Sequence, residues 1–397
     1  MSRRGGVGAT LALPWSSTGR PSGGRSAVDG VTLGLVVMLA LLGLVVVYSA
    51  SAVMAGNKFH DSLYFLKRQT AWFALGFVLL HVASRVDYMV WRKLAYPLLG
   101  VTLVLLTLVL LPSMGVTLKG ARRWLSLGPF MMQPAELAKL AVVIYLAAYL
   151  ARKEDRVQDL WSGFLPPLLV VGLCGGLILA QPDLGTVIMM WLVAAGMLFL
   201  AGARLLHLFG LGLVASLATM AFVWGSHYRT QRLKTFLAPW DDPLNAGFQV
   251  TQSFLAFGSG GTFGVGLGEG KQKLYFLPEA HTDFVLALVG EELGLVGTAT
   301  LLGVYAVLVL RGFRIAGRAR KPFGGYLAHG LIMLFGLQAL LNAGVVTGLL
   351  PTKGMTLPLI SYGGSSLIVT LLALGILLSV SRDRQGGRQH GGYGTSG

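Results

Sequence analysis

Apolar residues in this chain come in continuous blocks of about 20. They do not alternate, and they do not recur on a single helical face. Ten blocks can be marked, at residues 31–54, 69–86, 94–112, 133–151, 163–181, 184–201, 204–225, 283–310, 323–349 and 358–381. A bilayer's hydrocarbon core takes about 20 residues of helix, and lipid offers no partner to backbone N–H and C=O groups, so each span must satisfy its own. The pattern therefore predicts an all-α polytopic membrane protein of about ten spans in one membrane domain, residues 31–381. The fifth and sixth blocks lie so close that a tight turn is expected at Gln181-Pro182-Asp183. Residues 1–30, rich in Gly, Ser and Arg, and the Gly-rich stretch 382–397 read as disordered tails. The first block has full spanning length and no small-residue cleavage pattern, which sets it apart from a secretory signal.

Composition agrees with this picture. Of 397 residues, 54% are hydrophobic and 12% charged, more apolar surface than one soluble core could hide. The net charge of +16 raises nucleic acid as a partner, but the basic residues are scattered between apolar blocks and form no continuous face. They fit membrane topology instead. An even number of spans puts both termini on one side, and the tails and even-numbered loops carry 19 Lys and Arg against 7 in the short loops opposite. Cytoplasmic loops are enriched in Lys and Arg, so the termini are expected inside and the 226–282 loop, between spans seven and eight, outside. Arg311, Arg314, Arg318, Arg320 and Lys321 then serve as cytoplasmic anchors. The single cysteine, Cys174, rules out an internal disulfide and reads as a small buried hydrophobe.

Charges near the outer span ends are the informative ones, because an ionised group at membrane depth costs about 2.5–3.5 kcal/mol on insertion scales. In GARRWLSLGPFMMQPAELAKL, Pro134 suits a first helical turn, and Glu136 and Lys139 at i, i+3 can pair within the span. Arg122 and Arg123 beside Trp124 are interfacial anchors or bidentate phosphate donors. Asp183 opens the sixth span, where a carboxylate caps a helix. In YRTQRLKTFLAPWDDPLNAGFQ, Arg229, Arg232 and Lys234 share a face of a short amphipathic surface helix, or form a cationic funnel for an anionic lipid head.

GSGGTFGVGLGEGK, 258–271, is no phosphate loop, since Val265 and Gln272 stand where that pattern needs Gly and Ser or Thr; its glycines predict a tight, closely packed loop. In LPEAHTDF, Asp283 lies at the mouth of span eight, preceded by His281 and Glu279. Glu291 and Glu292 lie two turns deeper on different faces, and Glu292 is expected to pair with a basic residue such as Lys139. A carboxylate at such a mouth is partly desolvated and suits proton abstraction, holding a divalent cation, or helix capping. GLLPTKGMTLPLISYGGSS combines Lys353 with Ser361 in an interrupted helix of the kind that lines cavities, or one packed closely through its small residues. The seven histidines form no HxxxH set.

These features describe an outward-facing cavity lined by cations and carboxylates and open to lipid, and they fit either a transferase acting on a lipid-linked diphosphate or a transporter moving one. Four motifs, GARRWL with QPAELAK, YRTQRLKTFLAPWDDPLNAGFQ, LPEAHTDF and PTKGMTLPLISYGGSS, resemble in order those of the SEDS family of bacterial cell-wall proteins (shape, elongation, division, sporulation), over Ser49 to Arg382. Ala135 departs from a frequent Ser. The lysine of Thr352-Lys353-Gly354 is more similar to the division branch than to the elongation branch.

The resemblance implies a peptidoglycan glycosyltransferase that polymerises lipid II into glycan strands at the outer face of the bacterial cytoplasmic membrane, at the division septum. Its partners would be a class B penicillin-binding protein and other division proteins. It places the catalytic carboxylate on Asp283, acting directly or through Mg²⁺ or Mn²⁺, with no organic cofactor. Arg122, Arg123, Glu136, Lys139, Arg229, Arg232, Glu279, His281, Lys353 and Ser361 then become candidate substrate-binding residues. A lipid II flippase and the polymerase of cell elongation are the alternatives.

Overall fold

The computed structural model describes residues 27–383, apart from 119, 129, 226, 244, 246, 275, 276, 278 and 279. The helices are α1 (Gly30–Phe59), α2 (Tyr64–Arg85), α3 (Met89–Leu110), α4 (Pro134–Leu150), α5 (Leu165–Leu179), α6 (Leu184–Leu200), α7 (Leu205–Trp224), α8 (His227–Leu237), α9 (Phe248–Gly260), α10 (Val285–Gly317), α11 (Pro322–Val346) and α12 (Gly364–Ser381). Helices overlie all ten expected blocks. Among the described residues seven are long and apolar enough to cross a bilayer by length and composition, and α6 is apolar but shorter. α4, with 17 residues, carries the buried Glu136 and Lys139.

The connections sort by contact into two sets, as an up-and-down bundle requires. At one end Asp29 meets Ser381 and Arg311, Ser379 meets Val86, Tyr88 meets Asp383, and Tyr326 meets Glu154. At the other, Arg123 reaches Gln181, Gln133 meets Ser365, and Phe65 stacks against His281 and Tyr362. The ends of the described chain, residues 27 and 383, thus share one end of the bundle. Most of the expected tails lie outside the described residues. Residues 27–30 and 382–383 do not follow that expectation: Asp29 caps α1 by accepting from Thr32 N at 2.9 Å, and Arg382 donates to Ser84 O.

α4 and α11 form the centre of the bundle and are buried along most of their length. α7 is the opposite case, with no buried residue. In lipid, helix association rests on close packing, which small residues permit. A Cβ on Gly375 of α12 would lie 2.6 Å from Leu80 O of α2, so these helices meet backbone to backbone.

Three details depart from the sequence reading. Residues 115–132 are not a plain loop but a three-stranded antiparallel sheet, β1 (Gly115–Leu118), β2 (Ala121–Leu127) and β3 (Phe130–Met132) in that order, with Gly120 and Gly128 turning at φ 77° and 67°. α12 starts at Gly364 and not at 358, leaving 347–363 without α-helix. α10 is broken at Gly294, with φ 68° and ψ −164°. The Gly-rich loop repairs that break: Val265 N and Gly266 N donate to Glu291 O and Glu292 O, while Leu295 N and Val296 N donate to Gly261 O and Thr262 O, at 2.9–3.1 Å. Non-helical backbone at membrane depth is tolerated where protein satisfies it in this way.

Candidate active site

Three non-helical segments converge at the end opposite the described termini: the 281–284 turn before α10, the 347–363 segment, and the turn at Gln181–Asp183. Asn342 of α11, buried to 1% exposure, joins the first two. Its Nδ2 donates to Asp283 O at 2.8 Å and to Met355 O at 2.6 Å. Tyr362 N donates to His281 O at 2.9 Å, a second strap on the same turn. The half-buried Asp283 carboxylate borders Gly354 so closely that a Cβ there would lie 3.1 Å from Oδ2. Lys353 lies along the start of α6, where a Cβ on Gly185 would come within 3.5 Å of its Cδ. Burial pushes the Lys353 ammonium below its ordinary pKa, and the Asp183 charge opposes that shift. Asp183 caps α6 as expected, accepting from Thr186 N at 3.2 Å and Thr186 Oγ1 at 2.9 Å.

Glu136 and Lys139 pair at 2.8 Å, both buried. Lys139 Nζ also donates to Gln338 Oε1 at 3.0 Å, and Gln338 Nε2 donates to Thr356 O at 3.1 Å. The pair therefore braces the segment that carries Lys353, and it flanks a cavity of about 20 Å³, room for roughly one water and not for a sugar. Glu292 pairs with a basic residue as expected, but the partner is Lys273 and not Lys139. Glu292 binds Lys273 at 2.7 Å and Ser49 Oγ at 2.7 Å, all within reach of α1, while Lys139 is saturated by Glu136 and Gln338. Glu291 accepts from Lys271 N at 2.7 Å and Gln272 N at 3.2 Å, so both carboxylates hold the Gly-rich loop that leads to Asp283.

The remaining candidates divide. Arg123 donates to Gln181 O at 2.9 Å and to Pro182 O, and Arg122 donates to Leu110 O at 3.0 Å; these guanidiniums tie the sheet to helix ends, where carbonyls left without intrahelical donors attract cations. Ser361 is buried and closes a local turn, its Oγ accepting from Leu357 N at 2.8 Å, so it faces backbone and not an opening. The His281 ring packs in an aromatic group with Phe65 and Tyr362, centroids 4.9 and 5.9 Å away. Arg229 lies on α8, the expected surface helix, but its side chain falls outside the described residues, as does Glu279. Arg232 is exposed on α8.

Sequence reasoning missed Asn342 and Gln338, polar residues at i, i+4 in an apolar helix; that cost in lipid was the available signal. It also missed Arg68, which lies over the Tyr64 ring at 4.7 Å and bonds the Tyr362 side chain, whose hydroxyl burial pushes up. Among the described residues no group of three or more His, Cys, Asp or Glu gathers to hold a metal.

Fold and site together define a multi-pass membrane protein with a strapped carboxylate and a half-buried lysine at one end of its helical bundle. Residues 31–386 match the family model described as "Cell cycle protein", which groups FtsW, RodA and SpoVE. The chain belongs to this family, the SEDS proteins. It is 49% identical over 358 residues to the probable peptidoglycan glycosyltransferase FtsW of Geobacter sp. (strain M18), covering 90% of this chain and 98% of that one. It is 42% identical to stage V sporulation protein E of Bacillus subtilis (strain 168), with the same coverage. Among solved structures it is similar to a chain from a study described as "Structural coordination of polymerization and crosslinking by a peptidoglycan synthase complex", with TM-score 0.75, 36% identity, and coverage of 90% and 98%. Thermus thermophilus rod shape determining protein RodA gives TM-score 0.66 and 33% identity, with 91% and 98% covered.

Proposed function

We propose that this protein is a peptidoglycan glycosyltransferase of the division branch, polymerising lipid II at the outer face of the bacterial cytoplasmic membrane. All ten helices overlying the predicted blocks would cross the bilayer, with both termini cytoplasmic. The observation that carries the reading is the placement of the Asp283 carboxylate against Gly354, next to Lys353, on a turn strapped by Asn342 and Tyr362. The names and identity levels of the relatives support the activity.

In the reaction, the Asp283 carboxylate takes the proton of an acceptor-sugar 4-hydroxyl as that oxygen attacks the donor's anomeric carbon. The new C–O bond forms while the bond to undecaprenyl diphosphate breaks, inverting the centre. A diphosphate leaves as a stable anion, so no general acid is required. Lys353 is placed to meet the charge growing on it, where a fixed cation helps most. Arg229 and Arg232 on α8 would gather the anionic head at the surface. Mg²⁺ is commonly held by one or two carboxylates plus substrate phosphates, and Asp283 would be a protein ligand for such an ion. A class B penicillin-binding protein at the division septum is the proposed partner.

The test is lipid II polymerisation by the purified chain with its cognate transpeptidase. Replacement of Asp283 by Ala should abolish product while extraction and melting stay unchanged; full activity of that variant would reject the role. In liposomes with labelled lipid II, translocation without polymer would favour the flippase reading.

A further inference from the structure

The five cations at the end of α10 and in the turn to α11 do not act as one cluster. Arg320 pairs with Asp383 at 3.6 Å. Arg311, Arg314 and Arg318 turn to a different place: with Asp29 and Ile315 they line a cavity of about 150 Å³ at the end of the bundle that holds the described termini. At 100° per residue these three arginines fall within about 60° of one another on α10. Arg311 is neutralised by Asp29, donating to Oδ1 at 2.9 Å and Oδ2 at 3.0 Å. Arg314 and Arg318 are exposed, and neither guanidinium makes an ion pair or hydrogen bond among the described residues.

Residues 1–28 and 384–397 contain no Asp or Glu side chain to supply their counter-charge. The same stripe of α10 continues away from the arginines as exposed apolar surface, with Val307 47% and Leu310 57% exposed. A cationic cavity above an apolar track matches an amphiphile: a phosphate among guanidiniums, which bind it bidentately, and an acyl chain along the helix.

The geometry points to a binding site for the phosphate headgroup of an anionic phospholipid at Arg311, Arg314 and Arg318, in the leaflet at the termini and far from Asp283. Basic pockets between helices at this depth suit such headgroups, with the cations near the surface each contributing to affinity. An occupied site would fix the end of α10, the helix that opens at Asp283.

The experiment uses full-length protein in micelles supplied with equal amounts of phosphatidylglycerol and phosphatidylcholine, read by native mass spectrometry. One phosphatidylglycerol should stay bound, and affinity should fall roughly 30-fold in Arg314→Gln/Arg318→Gln, two cations' worth. Arg320→Gln/Lys321→Gln, which removes the same charge beside the cavity, should stay within about two-fold of the parent. In the unaltered protein, phenylglyoxal labelling of Arg314 and Arg318 should be blocked by phosphatidylglycerol vesicles and not by phosphatidylcholine vesicles. Equal retention of both lipids, equal loss in both double variants, or displacement by inorganic phosphate at matching concentration would each overturn the proposal.

Discussion

Two kinds of acidic residue occupy this bundle, and they are held in opposite ways. Glu136 and Glu292 are buried and closed by lysines at 2.8 and 2.7 Å, with amide or hydroxyl partners completing each set. Asp283 is half-buried, and its segment is gripped through the backbone, by Asn342 on its own carbonyl and by Tyr362 on that of His281. Lys353, near it, is half-buried beside Asp183 without an ion pair within 4 Å among the described residues. A buried pair fixes structure because each charge satisfies the other, whereas the turn that carries Asp283 is fixed through its main chain, by donors from other elements.

The contrast can be broken at either kind of site. The largest effect is expected from Asp283→Asn, which removes the base and should lower polymerisation by ~10²–10⁴ with little change in melting. Lys139→Met should do the reverse, costing ~3–5 kcal/mol of stability by stranding Glu136, and Glu136→Leu/Lys139→Met should recover most of it; thermal unfolding in detergent reads both. Between these lies Asn342, a positioning residue. Asn342→Leu leaves two carbonyls without their donor, about 1–3 kcal/mol, and should lower kcat about ten-fold or more while the KM for lipid II stays within about two-fold. If KM rises and kcat holds, Asn342 shapes binding and the backbone-strap argument fails.

The smallest effect concerns pH. Lys353 has a lowered pKa in the folded protein, so the unfolded chain binds more protons between that value and the ordinary lysine value of 10.5, and stability should rise with pH through that window. Lys353→Met should remove that slope, seen as the difference between melting curves across the alkaline range.

Much of this was legible in the chain. Helices overlie all ten blocks, and for seven of them among the described residues length and composition alone suffice to cross a bilayer, where a span must satisfy its own backbone. Glu136 and Lys139 pair because i, i+3 spacing places them on one face, and Asp183 caps because it opens a helix; these are local relations. The small sheet was also signalled, by Gly120 and Gly128 on either side of ARRWLSL, but it lay between stronger apolar blocks.

What the sequence by itself determined was the membrane architecture, the carriers of charge and their order along the chain, since hydropathy and helical spacing act over a few residues. Only tertiary structure decided which charges meet. Glu292 found Lys273 and not Lys139, and Arg122 and Arg123 turned to carbonyls at helix ends. The Gly-rich loop mended the break at Gly294, and Gly354 came to rest against Asp283. Each of these joins residues from different elements or remote loops, and no local rule sets their distance; the packing of α1, α4, α10 and α11 does.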